Sequence, residues 1–267
     1  MNYQEWIVTN SKTIIFVAFY GLLLVFGILE TRIPESSLPP DRKKRWITNF
    51  GVSIVGGLLL ILLPVTGLGV SAWATKGGFG LLNRIALPAL AILILTFAAR
   101  SLSSWALHIT MHKVPFLWRV HRTHHLDTVM DISTTVRFSP VELLLSLLVG
   151  ILTIALLGLP AWALMVYAPL ESAVRCFSHA NIHLPKKLDQ FLRFLIATPA
   201  MHRMHHSINR KETDSNYGAI FSFWDRLFRT YTTPEGKDLA GMPLGLEGNE
   251  GSKIQSFWWL LGNPLKK

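Results

Sequence analysis

Five apolar runs, at roughly 13–29, 47–66, 84–100, 140–158 and 161–177, constrain this chain most. Each is long enough to cross, or nearly cross, a hydrocarbon layer ~30 Å thick, which takes about 20 helical residues. Lipid offers the backbone no hydrogen bonds, so such runs are expected as helices. Half of the residues are AVILMFWYC and 16% are charged, against about 25% in an ordinary soluble domain. The expected fold is an all-α integral membrane protein with about five transmembrane helices.

Basic residues orient the helices. "DRKKR" at 41–45 is expected on the cytoplasmic side, and the loop at 67–83 carries only Lys76. Alternation then places 101–139 and 178–267, both rich in Lys and Arg, in the cytoplasm. The net charge of +10 follows from these loops, and no basic–aromatic interleaving suggests a nucleic-acid surface. The first run has Glu5 in its leader and no small-x-small site after it, so it is expected to stay as an anchor. The third run is expected to continue as helix from Arg84 past Pro88 to His112, which carries His108 and His112 just beyond the hydrocarbon. "GLP" at 158–160 is a hairpin turn between the last two spans. Glu171 and Arg175, four apart in the last span, share a helix face and are expected to pair. The single Cys176 excludes an intrachain disulfide and a thiolate metal site.

All ten histidines fall between 108 and 206, in four groups. They are His108 and His112 in "HITMH", His121, His124 and His125 in "HRTHH", His179 and His183 in "HANIH", and His202, His205 and His206 in "HRMHH". Spacings of three and four put each group on one helix face. Core filling does not account for this, because every bunched imidazole would need its own buried hydrogen-bond partner. Ten imidazoles divide as five on each of two metal ions, with room for a small molecule. Imidazole suits iron, zinc, copper or nickel. A Glu-x-x-His pair of the carboxylate-rich di-iron bundles is absent, and "HITMH" has Ile109 where a zinc protease needs its glutamate.

The series H-x3-H, H-x2-H-H, H-x3-H, H-x2-H-H after membrane spans resembles the fatty acid hydroxylase/sterol desaturase superfamily. "PFLWRVHRTHH", "DISTTVRFSPVE", "FSHANIHLP", "TPAMHRMHHS" and "ETDSNYG...WDRLFRTY" extend the likeness from about residue 45 to the C-terminus. The resemblance implies a cytosolic histidine-rich helical cap holding a dinuclear metal site. It also implies two Fe ions on the ten histidines, with Zn as a possible substitute in purified protein. The implied activity is O2-dependent hydroxylation or desaturation of a bilayer lipid. Asp127, Asp131, Asn181, Asp214 and Asn216 are candidates for orienting the ligands. Departures surround the histidines: Ser101, Trp105, Ala106 and Ile109 replace the usual run into the first group, "RFSP" has Ser139 for histidine, and "LFRTY" has Arg229 for glycine.

The expected organisation is an anchor and basic loop at 1–45, a catalytic domain at 46–232 and a cytoplasmic tail at 233–267. The chain has no iron–sulfur cysteines and no flavin or nicotinamide glycine fingerprint, so an external electron donor (ferredoxin, cytochrome b5 or a reductase) is expected. Two other readings are a metal transporter or sensor, whose histidines would line the spans, and a catalytically degenerate metal-binding scaffold of the same fold.

Overall fold

The structure, a computed structural model, describes residues 2–39, 41–248 and 251–266. Its helices are α1 (Tyr3–Thr9), α2 (Ser11–Arg32), α3 (Arg42–Ile61), α4 (Gly67–Lys76), α5 (Ala89–Lys113), α6 (Pro115–His125), α7 (Pro140–Leu157), α8 (Ala161–His179), α9 (Lys186–Leu195), α10 (Pro199–His205), α11 (Arg210–Thr213), α12 (Phe223–Leu227) and α13 (Phe257–Gly262). The described residues form no sheet, only two isolated bridges.

Three of the five apolar runs, α2, α5 and α7, are long and apolar enough to cross a membrane by length and composition. The other two also form helices but fall outside that set. Helix α3 opens on four charged residues and α8 carries Pro169, Glu171 and Arg175. Helix α8 packs between α2 and α5 and buries Leu164, Met165, Tyr167 and Val174. The outward faces are apolar: Leu144, Leu148, Leu152 and Leu156 make an exposed i, i+4 stripe on α7, and Phe16, Tyr20 and Leu24 do so on α2. Polar groups lie inside, the arrangement expected of a bundle whose solvent is lipid.

Helix α5 begins five residues later than the sequence suggests. Pro88 is its N-cap, with φ −66° and ψ 150°, and 84–88 are not helical. Proline restricts the residue before it to extended backbone, so a helix entering from Arg84 has to stop there. From Ala89, His108 and His112 stand about 29 and 35 Å along the helix axis at 1.5 Å per residue. The same effect ends α5: Val114, before Pro115, turns to ψ 115° and α6 starts in a new direction with proline at its first position. The α7–α8 hairpin forms at the expected place. Gly158 takes φ 66°, and a Cβ there would lie 2.5 Å from Asn83 Nδ2 and 2.9 Å from the Phe79 carbonyl oxygen.

The expected pairing of Glu171 with Arg175 is not made, and Arg175 stacks over Phe138 instead, 5.0 Å from the ring centroid. The described residues of the C-terminal segment fold back onto the helices. Ile254 and Leu260 pack with Val52 and Leu126, and Arg137 reaches the Ile254 carbonyl at 2.7 Å.

Candidate metal centre

Nine of the ten histidines converge in two groups. His108 and His112 on α5, His121 and His125 on α6, and His205 on α10 form one; His124, His179, His202 and His206 form the other. Within each group, one nitrogen from every ring lies within 4.8 Å of the rest. The sequence-level division into five and five therefore becomes five and four.

His183 is the one left out. It lies beyond the end of α8, its side chain 64% exposed, and its Nδ1 contacts Glu35 Oε2 at 2.7 Å. The H-x3-H spacing puts residues on one face only while the helix continues, and α8 ends at His179. His183→Ala is expected to keep wild-type metal content; a loss of one equivalent by elemental analysis would return this residue to the centre.

The ring nitrogens are oriented from behind. His108 Nδ1 donates to the Tyr217 carbonyl at 2.7 Å, His205 Nδ1 to the Ser215 carbonyl at 2.7 Å, and His179 Nδ1 to the Arg175 carbonyl at 2.8 Å. His121 Nδ1 lies 2.7 Å from Glu142 Oε1, and His112 Nδ1 makes a longer contact of 3.4 Å to Asp214 Oδ1. A carbonyl can only accept, so Nδ1 carries the proton and the neutral ring presents an Nε2 lone pair inward.

The lone pairs then face one another. His108 Nε2 and His121 Nε2 are 3.1 Å apart, and His179 Nε2 is 3.2 Å from His124 Nε2 and 3.0 Å from His202 Nε2. Two further buried ring nitrogens on this side have no partner, His112 Nε2 and His205 Nε2, each on a ring whose Nδ1 is engaged outward. Hydrogen bonds cannot satisfy such a set, since each neutral ring has one N–H and several are already committed outward. Cations between the converging nitrogens would satisfy it, so the residues fit metal ions.

Burial keeps these imidazoles neutral, the form that ligates. It lowers His121 to about 3, with the Arg175 charge adding to the effect. Burial, then neighbouring imidazoles, lowers His124, His125 and His202 well below 6.5. The unfolded chain takes up a proton near 6.5 and buried His121 only near 3, so its contribution to stability is intact above pH 6.5 and declines as pH falls below it.

Of the five residues expected to orient ligands, Asp214 alone touches a histidine of the centre. Asp127 and Asp131 bind Arg45, Asn181 accepts from Arg203 at 2.9 Å, and Asn216 spans the Met201 and Thr232 carbonyls. Glu142, the partner of His121, was missed. Its signal was a lone carboxylate in the first turn of the apolar α7, where Ser139 caps the Glu142 amide at 3.2 Å. Asp225 was also missed. It accepts from Trp105 Nε1 at 3.1 Å and from the Tyr217 and Gly218 amides at 2.8 Å each, holding the segment whose carbonyl orients His108. Three of the departures from the family pattern thus have structural places, Trp105 on Asp225, Ser101 as acceptor for Trp224 Nε1 at 3.0 Å, and Ser139 at the α7 cap. Arg229 adopts φ 60°, a left-handed conformation that suits the glycine of the usual pattern.

Glu142→Ala is expected to weaken metal affinity or activity about 10–100-fold, the usual cost of losing a ligand's outer partner. Glu142→Gln keeps an acceptor and should lose less. Competitive titration with a chelator measures both.

A cavity of about 60 Å³ opens from the histidines toward the bundle, between Leu107 and Met111 of α5, Ser146 of α7 and Ser178 of α8. Phe138 covers one side, stacked on His124 at 4.7 Å between ring centroids.

The sequence model described as fatty acid hydroxylase matches residues 93–230, more than half of the chain. The chain is 28% identical over 127 residues to an ornithine lipid hydroxylase of Rhizobium tropici, covering 48% of this chain and 38% of that protein. It is 27% identical over 161 residues to the alkylglycerol monooxygenase of Homo sapiens, covering 55% and 32%. It is 27% identical over 150 residues to the cholesterol 25-hydroxylase of Rattus norvegicus, covering 55% and 49%. The chain thus spans about a third to a half of the length of these relatives. No solved structure matches it significantly.

Proposed function

The chain belongs to the fatty acid hydroxylase family, and from that premise we propose that it is a multi-pass membrane oxidoreductase that hydroxylates or desaturates a lipid. One observation carries the reading: two groups of neutral, inward-facing imidazoles border a cavity that opens between apolar helices. The names of the relatives, a lipid hydroxylase, an alkylglycerol monooxygenase and a sterol hydroxylase, support a lipid substrate.

The five- and four-histidine groups would each hold one iron ion, with zinc as a substitute in purified protein. Bound iron would supply O2 activation and oxidation of a C–H bond, the first step shared by hydroxylation and desaturation. The chain's own residues do the rest. Glu142 and the Tyr217, Ser215 and Arg175 carbonyls hold the rings in one tautomer and orientation. Phe138, Leu107 and Met111 limit water at the reacting carbon. The cavity between α5, α7 and α8 would receive the carbon to be oxidised.

The basic loops favour a cytoplasmic position for the histidine cap. Exposed Lys113, Lys186, Lys187, Arg210 and Lys211 lie on the cap side of the bundle. They suit an acidic electron carrier such as ferredoxin or cytochrome b5, whose association would slow as salt rises.

The test is lipid profiling of cells with and without the protein, joined to oxygen uptake by purified protein given an external reductase and carrier. A lipid gaining one oxygen or losing two hydrogens, with uptake that requires the carrier, is expected. An unchanged lipid profile would overturn the reading.

A further inference from the structure

Two cavities meet at one pair of side chains. The first is the small cavity beneath the histidines. The second, about 210 Å³, lies between α2, α3, α7 and α8, with Ser53, Thr135 and Glu171 giving it a partly polar wall. Phe138 and Arg175 line both. The Arg175 guanidinium stacks on Phe138, and the Phe138 ring stacks in turn on His124. A group bound to Arg175 is therefore about one aromatic ring away from the metal-holding imidazoles.

Arg175 and Glu171 stand one helical turn apart on α8, yet they do not pair, and neither charged group hydrogen-bonds to another described residue. Arg175 shares the first cavity with buried Glu142 but makes no hydrogen bond to it, so the guanidinium and the Glu171 carboxylate are both left short of hydrogen-bond partners, which is costly in a bundle that faces lipid. An apolar chain laid against them would remove their water and supply no hydrogen bonds. A polar head group would supply both. The guanidinium presents a fork of N–H donors to an anionic oxygen, and the carboxylate accepts from a hydroxyl or amine.

We propose that Arg175 and Glu171 bind the polar head of the lipid substrate, an anionic oxygen on Arg175 and a hydrogen-bond donor on Glu171. The oxidised carbon then lies in the head group or within the first few carbons beside it, not toward the chain end. This assignment rests on the oxygenase reading above. Phe138 and Arg175 together form the passage between the head-group cavity and the centre.

The test uses full-length protein in phosphatidylcholine vesicles containing equal small amounts of phosphatidylglycerol and diacylglycerol. Phosphatidylglycerol offers an anionic phosphate and hydroxyls, and diacylglycerol has no charge. After gentle solubilisation, mass spectrometry counts the lipids retained. Wild type is expected to prefer phosphatidylglycerol at least tenfold, Arg175→Met to lose that preference, and Arg175→Lys to keep most of it. Glu171→Gln, which removes a negative charge beside the anion, should hold or raise it. A folding defect would not abolish the preference in one of these substitutions and spare it in the other, one turn away. If Arg175→Met fails to keep its metal, Arg175→Lys and Glu171→Gln decide. Preference retained in metal-replete Arg175→Met, or lost in Glu171→Gln, overturns the proposal.

Fragmentation spectra of lipids oxidised in cells form the second arm. New oxygen is expected in or beside the head group, and oxygen in the distal half of a chain also overturns the proposal. If the retention pattern holds but no lipid is oxidised, the head-group site stands and the oxygenase reading falls.

Discussion

His205→Ala and His124→Ala are each expected to lose about one of two metal ions per chain and more activity than the ~10–100-fold that losing an outer partner costs. The two belong to different groups, His205 to the five and His124 to the four. Each substitution should therefore empty one site and leave the other largely filled. Both side chains are buried among the other histidines of their groups, and truncation removes one nitrogen from each group. Membrane insertion should persist, because it depends on the apolar helices and not on the imidazoles. Stability of the cap should fall, since metal binding contributes to folding free energy. Elemental analysis beside turnover reads the result, and either variant with normal turnover would show that its histidine is not an essential ligand.

Arg45→Met is expected to destabilise the protein by about 3–5 kcal/mol, the cost of leaving buried charges without their partner. Arg45 is 1% exposed. It binds Asp127 through two hydrogen bonds, Nε at 3.0 Å and Nη2 at 2.8 Å, and Asp131 through Nη1 at 2.8 Å. Burial raises the Asp127 carboxyl, but the Arg45 and Arg137 charges outweigh it and hold the group below its ordinary range. With the folded value depressed, this contribution is full above the unfolded value near 3.8 and is lost as pH falls below it. Asp127 lies two residues beyond His125, so the network also fixes the end of the helix that carries three of the converging histidines. Adding Asp127→Asn and Asp131→Asn to Arg45→Met should recover part of the loss, because the two stranded carboxylates are gone and buried Arg137 keeps its hydrogen bonds to Asn49 and to the Thr123 and Ile254 carbonyls. Urea unfolding in detergent measures all three states, and no recovery in the triple variant would mean that packing, not charge, holds this junction.

The apolar runs made the helical class legible, because a long apolar run in lipid has few alternatives to helix. The histidine spacings made a candidate metal site legible, because i, i+3 and i+4 fall on one face whatever surrounds them. Boundaries set by local chemistry were partly legible. "GLP" marks its hairpin, whereas the start of α5 is set by Pro88 through its restriction on the residue before it, which the apolar run does not show.

What only the tertiary structure decided is how groups distant in the chain meet. It joined His205 to His108, His112, His121 and His125, left His183 at the surface with Glu35, and divided the histidines five and four. It put Asp127 and Asp131 on Arg45 and chose Glu142, 21 residues from His121, as that ring's partner. Periodicity states which residues share a face of one helix, but the mutual orientation of α5, α6, α8 and α10 comes from packing between them. Spacing alone determined that imidazoles cluster on helix faces; that packing determined which clusters meet.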